Sequence, residues 1–389
     1  MRVGVDATCW QNNRGYGRHA RALLRSLVRL DRDNQYVLFM DSRVVAEPLP
    51  DGAEVRWLVS GTPAAVAAAA NGRRSLRDMW RIGWAMSGAG LDMLLFPTIY
   101  SYVPTICRAR KLVVVHDVIA ESFPGLTLPG TASRLAWKSK VALGRFQADA
   151  LITVSEYSRR AIVRHFGIDP DRVFVVGEAS DPVFRVIDRP RLSPLLRSLG
   201  IDEQDRLVVY VGGFGPHKNL EILVEAFQAL AGRGAFADVR LVLVGEFEKE
   251  VFHSYYEVIS AQVRRLGLAG RTVFSGYLPD EDLVALLNVA TVLVLPSLME
   301  GFGLPAVEAA ACGCPVIATK ASPLPELLAG GGIFFDPGQK HELESALEQV
   351  LSSEALRRRM REAGIAASQR LSWDEAARQM MDVMRQVAA

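Results

Sequence analysis

Two carboxylates, Glu300 and Glu308, bracket the stretch Gly301-Phe302-Gly303-Leu304-Pro305-Ala306-Val307. An apolar run, Thr291 to Leu295, precedes them, and Ala309-Ala310-Ala311-Cys312-Gly313 follows. A strand, a glycine-rich turn and a helix start, in that order, offer free backbone N–H groups and a partial positive charge to an anion. Glycine lets the backbone come close to such a ligand. An acid at each end can accept hydrogen bonds from sugar hydroxyls. The ligand this pattern suits is a diphosphate carrying a sugar on either side, a nucleotide sugar. The plainer reading of Glu308 is a solvated acid in the first turns of a helix. Its small apolar neighbours argue instead for a buried charge that needs a partner.

A lysine stands at a second position of the same kind. Lys218, in Pro216-His217-Lys218-Asn219-Leu220, follows the strand Leu207–Val211 and the turn Gly212-Gly213-Phe214-Gly215. A cation at a helix start opposes the helix dipole, so an anionic partner is expected there. In the first half, Gly15-Tyr16-Gly17-Arg18 follows the first strand, and His116-Asp117 ends the strand Lys111–Val115. A short glycine pair is also an ordinary turn, and a lone histidine is also an ordinary structural one. Both lie where open α/β sheets bind ligands, beyond the carboxyl ends of strands. Ser155 reads first as a helix N-cap and Asp6 as the pin of a loop.

These residues need a scaffold, and the chain spells one out. Short Val/Ile/Leu runs alternate with helical stretches. The strand candidates are Arg2–Asp6, Tyr36–Met40, Val55–Val59, Met93–Phe96, Lys111–Val115, Ala150–Val154 and Arg172–Val176. A second series comprises Leu207–Val211, Arg240–Val244, Val273–Ser275, Val292–Pro296, Val316–Thr319 and Gly332–Phe335. Near-continuous apolar strands are buried and parallel, and two rounds of strand–helix alternation predict two doubly wound α/β domains. The boundary is expected in the proline-bearing stretch 181–205, giving domains 1–185 and 200–371. Ser372 with Glu375 three residues on is a capping box. It opens a last helix, 372–389, expected to pack back on the first domain.

Composition narrows the function. At 389 residues two domains are natural. A net charge of +2 disfavours a nucleic-acid binder with a dominant basic face. The four cysteines have no zinc or thioredoxin spacing and are expected to be structural thiols in a reducing compartment. The start of the chain looks like a first strand rather than a signal peptide. No run reaches the ~20 apolar residues of a membrane span. A cytoplasmic protein is expected. The stretch Arg73–Trp84 is basic and rich in large apolar residues, so peripheral contact with the inner face of the cytoplasmic membrane is expected through it. The alternative is a solvated arginine face over a core-packing helix.

The whole chain resembles the retaining GT-B glycosyltransferases of family four, in their mannosyltransferase-like branch. The resemblance rests on EGFGLPAVEAAACGCPVIA with Glu300 and Glu308, on YVGGFGPHKNL with Lys218, on FSGYLPDEDLVALLNVA, and on Leu324-Pro325-Glu326 and Asp336-Pro337. His116-Asp117 and Gly15-Tyr16-Gly17 match more weakly. It implies two Rossmann-like domains facing each other across a cleft that binds the donor, with the acceptor on the N-terminal side. It implies that Lys218 neutralises the diphosphate and that the N–H groups of Gly303 and Leu304 hold its terminal phosphate. Glu300 would grip the transferred sugar and Glu308 the ribose, with Gly301, Phe302, Gly213 and Phe214 around the donor. Tyr277 and Leu278 would line the base, and His116 would lie near the anomeric centre. Gly15, Tyr16 and Gly17 would touch phosphate or acceptor. One departure stands out: Gly213 occupies the usual place of an arginine, and His217 is a weaker substitute if neutral.

The resulting expectation is a retaining hexosyltransferase. It would move mannose from GDP-mannose to a saccharide or polyprenyl-diphosphate-linked acceptor in surface polysaccharide synthesis, with no cofactor or metal and no nucleic acid. No Asp-X-Asp motif lies near the donor loop, and no nucleophilic acid is evident on the N-terminal side, so front-face attack is preferred over double displacement. Alternatives are a nucleotide-sugar epimerase and a non-catalytic sugar-nucleotide binder. A nicotinamide dehydrogenase is disfavoured because the glycine spacing after the first strand fails.

Overall fold

The computed structural model describes all residues except 13–14, 42–46, 59–74, 129, 189 and 247–253. The chain divides into two compact units. One comprises Met1–Glu178 and Ser372–Ala389, the other Ala179–Leu371.

The first unit is built on β1 (Arg2–Asp6), β2 (Gln35–Met40), β3 (Glu54–Trp57), β4 (Met93–Phe96), β5 (Arg110–Val114), β6 (Ala150–Thr153) and β7 (Val173–Val175). The second is built on β8 (Arg206–Val211), β9 (Val239–Val244), β10 (Thr272–Gly276), β11 (Val292–Leu295), β12 (Val316–Thr319) and β13 (Gly332–Phe335). Each apolar run read from the sequence corresponds to one strand, with ends that coincide or shift by at most two residues. Strand order is β3-β2-β1-β4-β5-β6-β7 in the first unit and β10-β9-β8-β11-β12-β13 in the second. The paired strands are parallel throughout. Their inner residues, such as Val3, Leu95, Val208 and Leu293, are fully buried because helices cover both faces.

Both orders reverse direction beside the first strand of the unit, and such a switch point opens a crevice at the strands' carboxyl ends. In the first unit it lies between β1 and β4, in the second between β8 and β11.

The boundary falls at Glu178–Ala179 rather than within 181–205. Side-chain partners explain the shift. Asn288 accepts from the Ile187 N–H at 2.9 Å and donates to the Arg185 carbonyl at 2.9 Å, and Leu196 is fully buried. These contacts bind the proline-bearing stretch to the second unit. The last helix, Trp373–Ala388, is capped by Ser372, whose hydroxyl accepts from the Glu375 N–H. It packs on the helix Gly15–Leu30 of the first unit and buries Trp373, Met380 and Met384.

Candidate functional site

At the switch point of the second unit, two loops bring charge together. The loop after β8 carries Lys218 on a short 3-10 turn, Pro216–Lys218. The turn is closed by Asn219 in the left-handed region (φ +56°), and its amide donates to the carbonyls of Pro296 and Pro337. The loop after β11 carries Ser297 and Glu300. Lys218 Nζ donates to Glu300 Oε1 at 2.7 Å, and Ser297 Oγ donates to the same oxygen at 2.6 Å. Glu300 is buried, which makes this pairing necessary for an ionised carboxylate.

The glycine-rich turn then opens the helix Leu304–Ala311. Gly303 sits at φ +86°, and a Cβ there would approach Leu324 Cδ1 to 2.8 Å. Both facts demand glycine. Pro305 contributes no N–H, and Ala306 N–H bonds to the Gly303 carbonyl at 2.9 Å. Gly301 belongs to the turn and Phe302 is buried against the unit. Glu308 is buried on the helix, among Ala306, Val307, Ala309 and Ala310, as its small neighbours predict.

Two expectations are corrected, those for the side chains of Phe214 and Leu278. Phe214 lies in the core with its ring against Tyr256 and Phe274, so its side chain cannot line a ligand. Leu278 is likewise buried, while Tyr277 is exposed. An apolar side chain in a glycine-rich loop follows the hydrophobic gradient inward, whatever the loop does. His217 is no second cation. Burial, then the neighbouring Lys218 charge, lowers it to about 4 against the opposing pull of Glu300, so it is neutral at pH 7. Gly213 lies at the end of β8, where its carbonyl accepts from the Tyr210 hydroxyl at 2.6 Å.

The first unit gathers a different group. His116, just beyond β5, does not simply open outward. Its Nδ1 stands 3.7 Å from Glu178 Oε1, and His19 Nδ1 stands 2.8 Å from the same oxygen. The imidazoles meet edge to face, with centroids 4.8 Å apart, and Trp373 packs on His19 at 5.6 Å. Burial opposes the Glu178 charge, but the two histidines outweigh it and hold the carboxyl down at about 2. The ligand-capable atoms of His19, His116 and Glu178 all lie within 4.8 Å of one another. The sequence reading did not single out His19 or Glu178. Glu178 carries a signal that could have found it, an acid shortly beyond the carboxyl end of a strand. His19 carries none beyond its nearness to the glycine pair.

The glycine pair itself separates. Gly17 is buried against the loop, and a Cβ there would reach the Asn12 carbonyl oxygen at 1.9 Å. Its lack of a side chain is required for this packing. Gly15 is exposed, with nothing near. The Tyr16 ring stacks on Tyr100 at 5.4 Å, and Tyr100 meets Trp137 at 5.0 Å. Tyr16 lies in the first turn of the helix Gly15–Leu30 that follows β1, and Tyr100 in the loop after β4, the two strands that flank this unit's switch point. Asp117 Oδ1 accepts from the Ile119 N–H at 2.8 Å. Glu121 receives the Trp137 indole N–H at 2.7 Å, and burial raises it above the ordinary carboxyl range. Asp6 pins the first loop through the Thr8 N–H and hydroxyl, and Ser155 caps the helix Glu156–Phe166.

Two parallel doubly wound units, one with a charged pair beside a glycine-started helix, are the architecture of a GT-B glycosyltransferase. Residues 194–367 match the family model "Glycosyl transferases group 1", and residues 13–182 match "Glycosyltransferase Family 4". The chain belongs to family four of the GT-B glycosyltransferases. It is 30% identical over 268 residues to the serotype-specific mannosyltransferase WbdA of Escherichia coli, covering 68% of this chain and 32% of the relative. The chain thus spans about a third of that protein's length. It is 29% identical over 322 residues to the D-inositol 3-phosphate glycosyltransferase of Corynebacterium glutamicum, covering 81% and 69%. Among solved structures, the fold is shared with the sucrose-phosphate synthase of Thermosynechococcus elongatus. There the TM-score is 0.78 at 19% identity, covering 100% of this chain and 99% of the other. It is also shared with Anabaena HepE in complex with UDP-glucose, at TM-score 0.73 and 19% identity, with 99% of both chains covered.

Proposed function

We propose that the protein transfers a hexose, mannose in the first instance, from a nucleoside-diphosphate sugar to an acceptor hydroxyl with retention at the anomeric carbon. The observation that carries this reading is the Lys218–Glu300 pair at the β8/β11 switch point, beside the helix that Gly303 opens. Cleaving the sugar–phosphate bond puts negative charge on the leaving diphosphate. Lys218 and the first N–H groups of the helix, those of Gly303 and Leu304, meet that charge as preorganised electrostatics. Glu300 then exchanges its lysine partner for hydroxyls of the donor sugar, and Glu308 serves the ribose. The bond broken is C1–O of the phosphate, and the bond formed is C1–O of the acceptor. The acceptor proton passes to the departing phosphate oxygen, so front-face transfer needs no enzyme nucleophile.

The mannosyl donor is supported by the likeness to WbdA. A nucleotide-sugar donor is supported by the fold shared with the UDP-glucose complex. GDP-mannose is the donor we assign, and a saccharide or polyprenyl-diphosphate-linked acceptor in surface polysaccharide synthesis is the acceptor class. Lys218 and the helix start carry the leaving-group charge in this reading, so transfer is expected to persist in EDTA.

A membrane-bound acceptor requires a way to the membrane. In the helix Leu76–Ser87, Ile82 and Met86 turn inward, while Trp80 and Trp84 are 65% and 57% exposed and stacked at 5.5 Å. Arg77 and Arg81 on this helix are exposed as well. Half-exposed tryptophans with arginines suit an anionic lipid surface. Arg73 and Arg74, part of the same expectation, lie outside the described residues. Among the described residues no helix is long and apolar enough to cross a membrane.

The test is a thermal-shift panel of NDP-sugars followed by transfer with the stabilising donor, reading the product's anomeric configuration by NMR. A ligand that binds only the folded form raises the melting temperature. Stabilisation by GDP-mannose and a product of retained configuration support the reading. Inverted product overturns the mechanism, and an epimerised nucleotide sugar formed without acceptor overturns the reaction class.

A further inference from the structure

Glu178 and His19 are absent from the reaction just proposed, yet they surround the histidine assigned to it. Both imidazoles turn Nδ1 toward one carboxylate oxygen, at 2.8 Å for His19 and 3.7 Å for His116. Glu178 is 7% exposed and His19 1% exposed, so water does little to screen the group. His116 Nε2, on the far side of its ring, is buried and has no hydrogen-bond partner among the described residues. An imidazole places its proton on the nitrogen that faces an acceptor, which leaves the other nitrogen as a bare lone pair.

The chain path adds a second observation. Glu178 is the last residue of the first unit before the chain leaves it, and Trp373 is the second residue after it returns. His19 touches both, through the Glu178 carboxylate and the Trp373 ring. The last helix also holds the residue before Glu178, since Gln379 Oε1 accepts from the Gly177 N–H at 2.9 Å. The carboxylate is therefore fixed by the point where the chain departs, by the helix with which it ends, and by an imidazole from the helix Gly15–Leu30.

We infer that Glu178 is a positioning residue. Its carboxylate faces the Nδ1 edge of His116 across 3.7 Å, too far for a direct hydrogen bond, and the negative charge there favours the proton on Nδ1, so that Nε2 accepts a hydroxyl hydrogen; His19, at 2.8 Å, keeps Glu178 in place. The inference rests on the proposed transferase reading for the use made of His116, but not for its tautomer. His116 lines a cavity of about 10 Å³ together with Tyr100, Asp117, Glu121 and Trp137, so polar and aromatic groups surround the ring that Glu178 orients. A hydroxyl held by Nε2 as acceptor must point its own oxygen lone pairs elsewhere. This fixes the orientation of the sugar carrying it.

The experiment uses the full chain labelled with 15N-histidine, with His116 assigned by comparison with His116→Gln. In the native protein, long-range 1H–15N correlation is expected to show His116 protonated at Nδ1 and bare at Nε2. Glu178→Gln is expected to shift that population toward the Nε2–H form and to lower kcat about 10²-fold with donor KM little changed. Glu178→Asp is expected to restore part of both signals. It carries the test alone if the glutamine variant does not fold. A native His116 protonated at Nε2 overturns the inference. So does a folded Glu178→Gln variant with unchanged spectrum and kcat. So does stoichiometric Zn2+ binding lost in both Glu178→Gln and His19→Gln, which would make the cluster a metal site. The spectrum needs no turnover, so a protein that transfers no mannose leaves this result readable.

Discussion

Lys218 and Glu300 are 82 residues apart in the chain, and their charged ends stand 2.7 Å apart. Each depends on the other and on Ser297, because Glu300 is buried and its Oε1 accepts from both. Removing one partner leaves the other charge desolvated. Lys218→Ala is expected to reduce kcat/KM by about 10²–10³-fold through loss of leaving-group stabilisation. Glu300→Gln is expected to raise donor KM and to leave Lys218 free for phosphate. Steady-state kinetics with donor binding measured separately will show this. Native turnover in both variants would remove the pair from the mechanism.

Gly303 combines a left-handed backbone with a tight approach to Leu324. Gly303→Ala is expected to cost about 1–3 kcal/mol. Urea denaturation should show a lower midpoint at unchanged slope. Gly15→Ala, with open space around it, is the control and should unfold at the native midpoint.

His217 gives the second unit a pH dependence of known sign. Its folded pKa is about 4, below the ordinary 6.5, because burial and Lys218 disfavour the imidazolium. Between those values the unfolded chain takes up the proton first. Stability is therefore full above pH 6.5 and falls as pH drops toward 4, by up to ~3 kcal/mol. Glu178, whose carboxyl is held at about 2, adds loss only below the ordinary carboxyl range near 4.5. His217→Gln is expected to flatten the first slope and spare the second, read as the denaturation midpoint against pH.

Burial, then the nearby Glu308 charge, pushes the Cys312 thiol up to about 12, and burial lifts Cys314 well above its ordinary range. Cys9 is buried and Cys107 half-buried. Under native conditions at pH 8 a thiol reagent is expected to label Cys107 first and to leave Cys312 and Cys314 untouched. Mass spectrometry of the labelled peptides will read this out. Rapid labelling of Cys312 would show that the helix Leu304–Ala311 opens locally.

Trp80 and Trp84 supply a surface prediction. Trp80→Ala/Trp84→Ala is expected to lower binding to vesicles containing anionic lipid at least several-fold, with transfer to a soluble acceptor unchanged. Equal sedimentation of native and variant protein with the vesicles would leave the helix with no lipid role.

The sheets were legible because a buried parallel strand has almost no choice but to be a continuous apolar run. The charged pair of the second unit was legible because Glu300 and Lys218 are polar residues where strands end. What escaped was the meeting of His19 with Glu178. Its members lie on a helix and a loop about 160 residues apart, and although an acid just beyond β7 is a signal in itself, nothing in the sequence pairs it with His19. Phe214 and Leu278 escaped for the opposite reason. Their loops pointed to a ligand, but their side chains obey burial. Gly17 shows a third limit. A glycine tells that something comes close, and only the structure shows that it is the Asn12 carbonyl.

The return of the last helix onto the helix Gly15–Leu30 orders events during synthesis. Residues 1–178 are synthesised before the second unit, yet the segment that buries Trp373, Met380 and Met384 against them is made after it. Until the helix Trp373–Ala388 emerges, that apolar seam is open and His19 lacks its neighbouring indole. The intervening unit can fold in the meantime, so the unit begun earlier is completed after the one begun later.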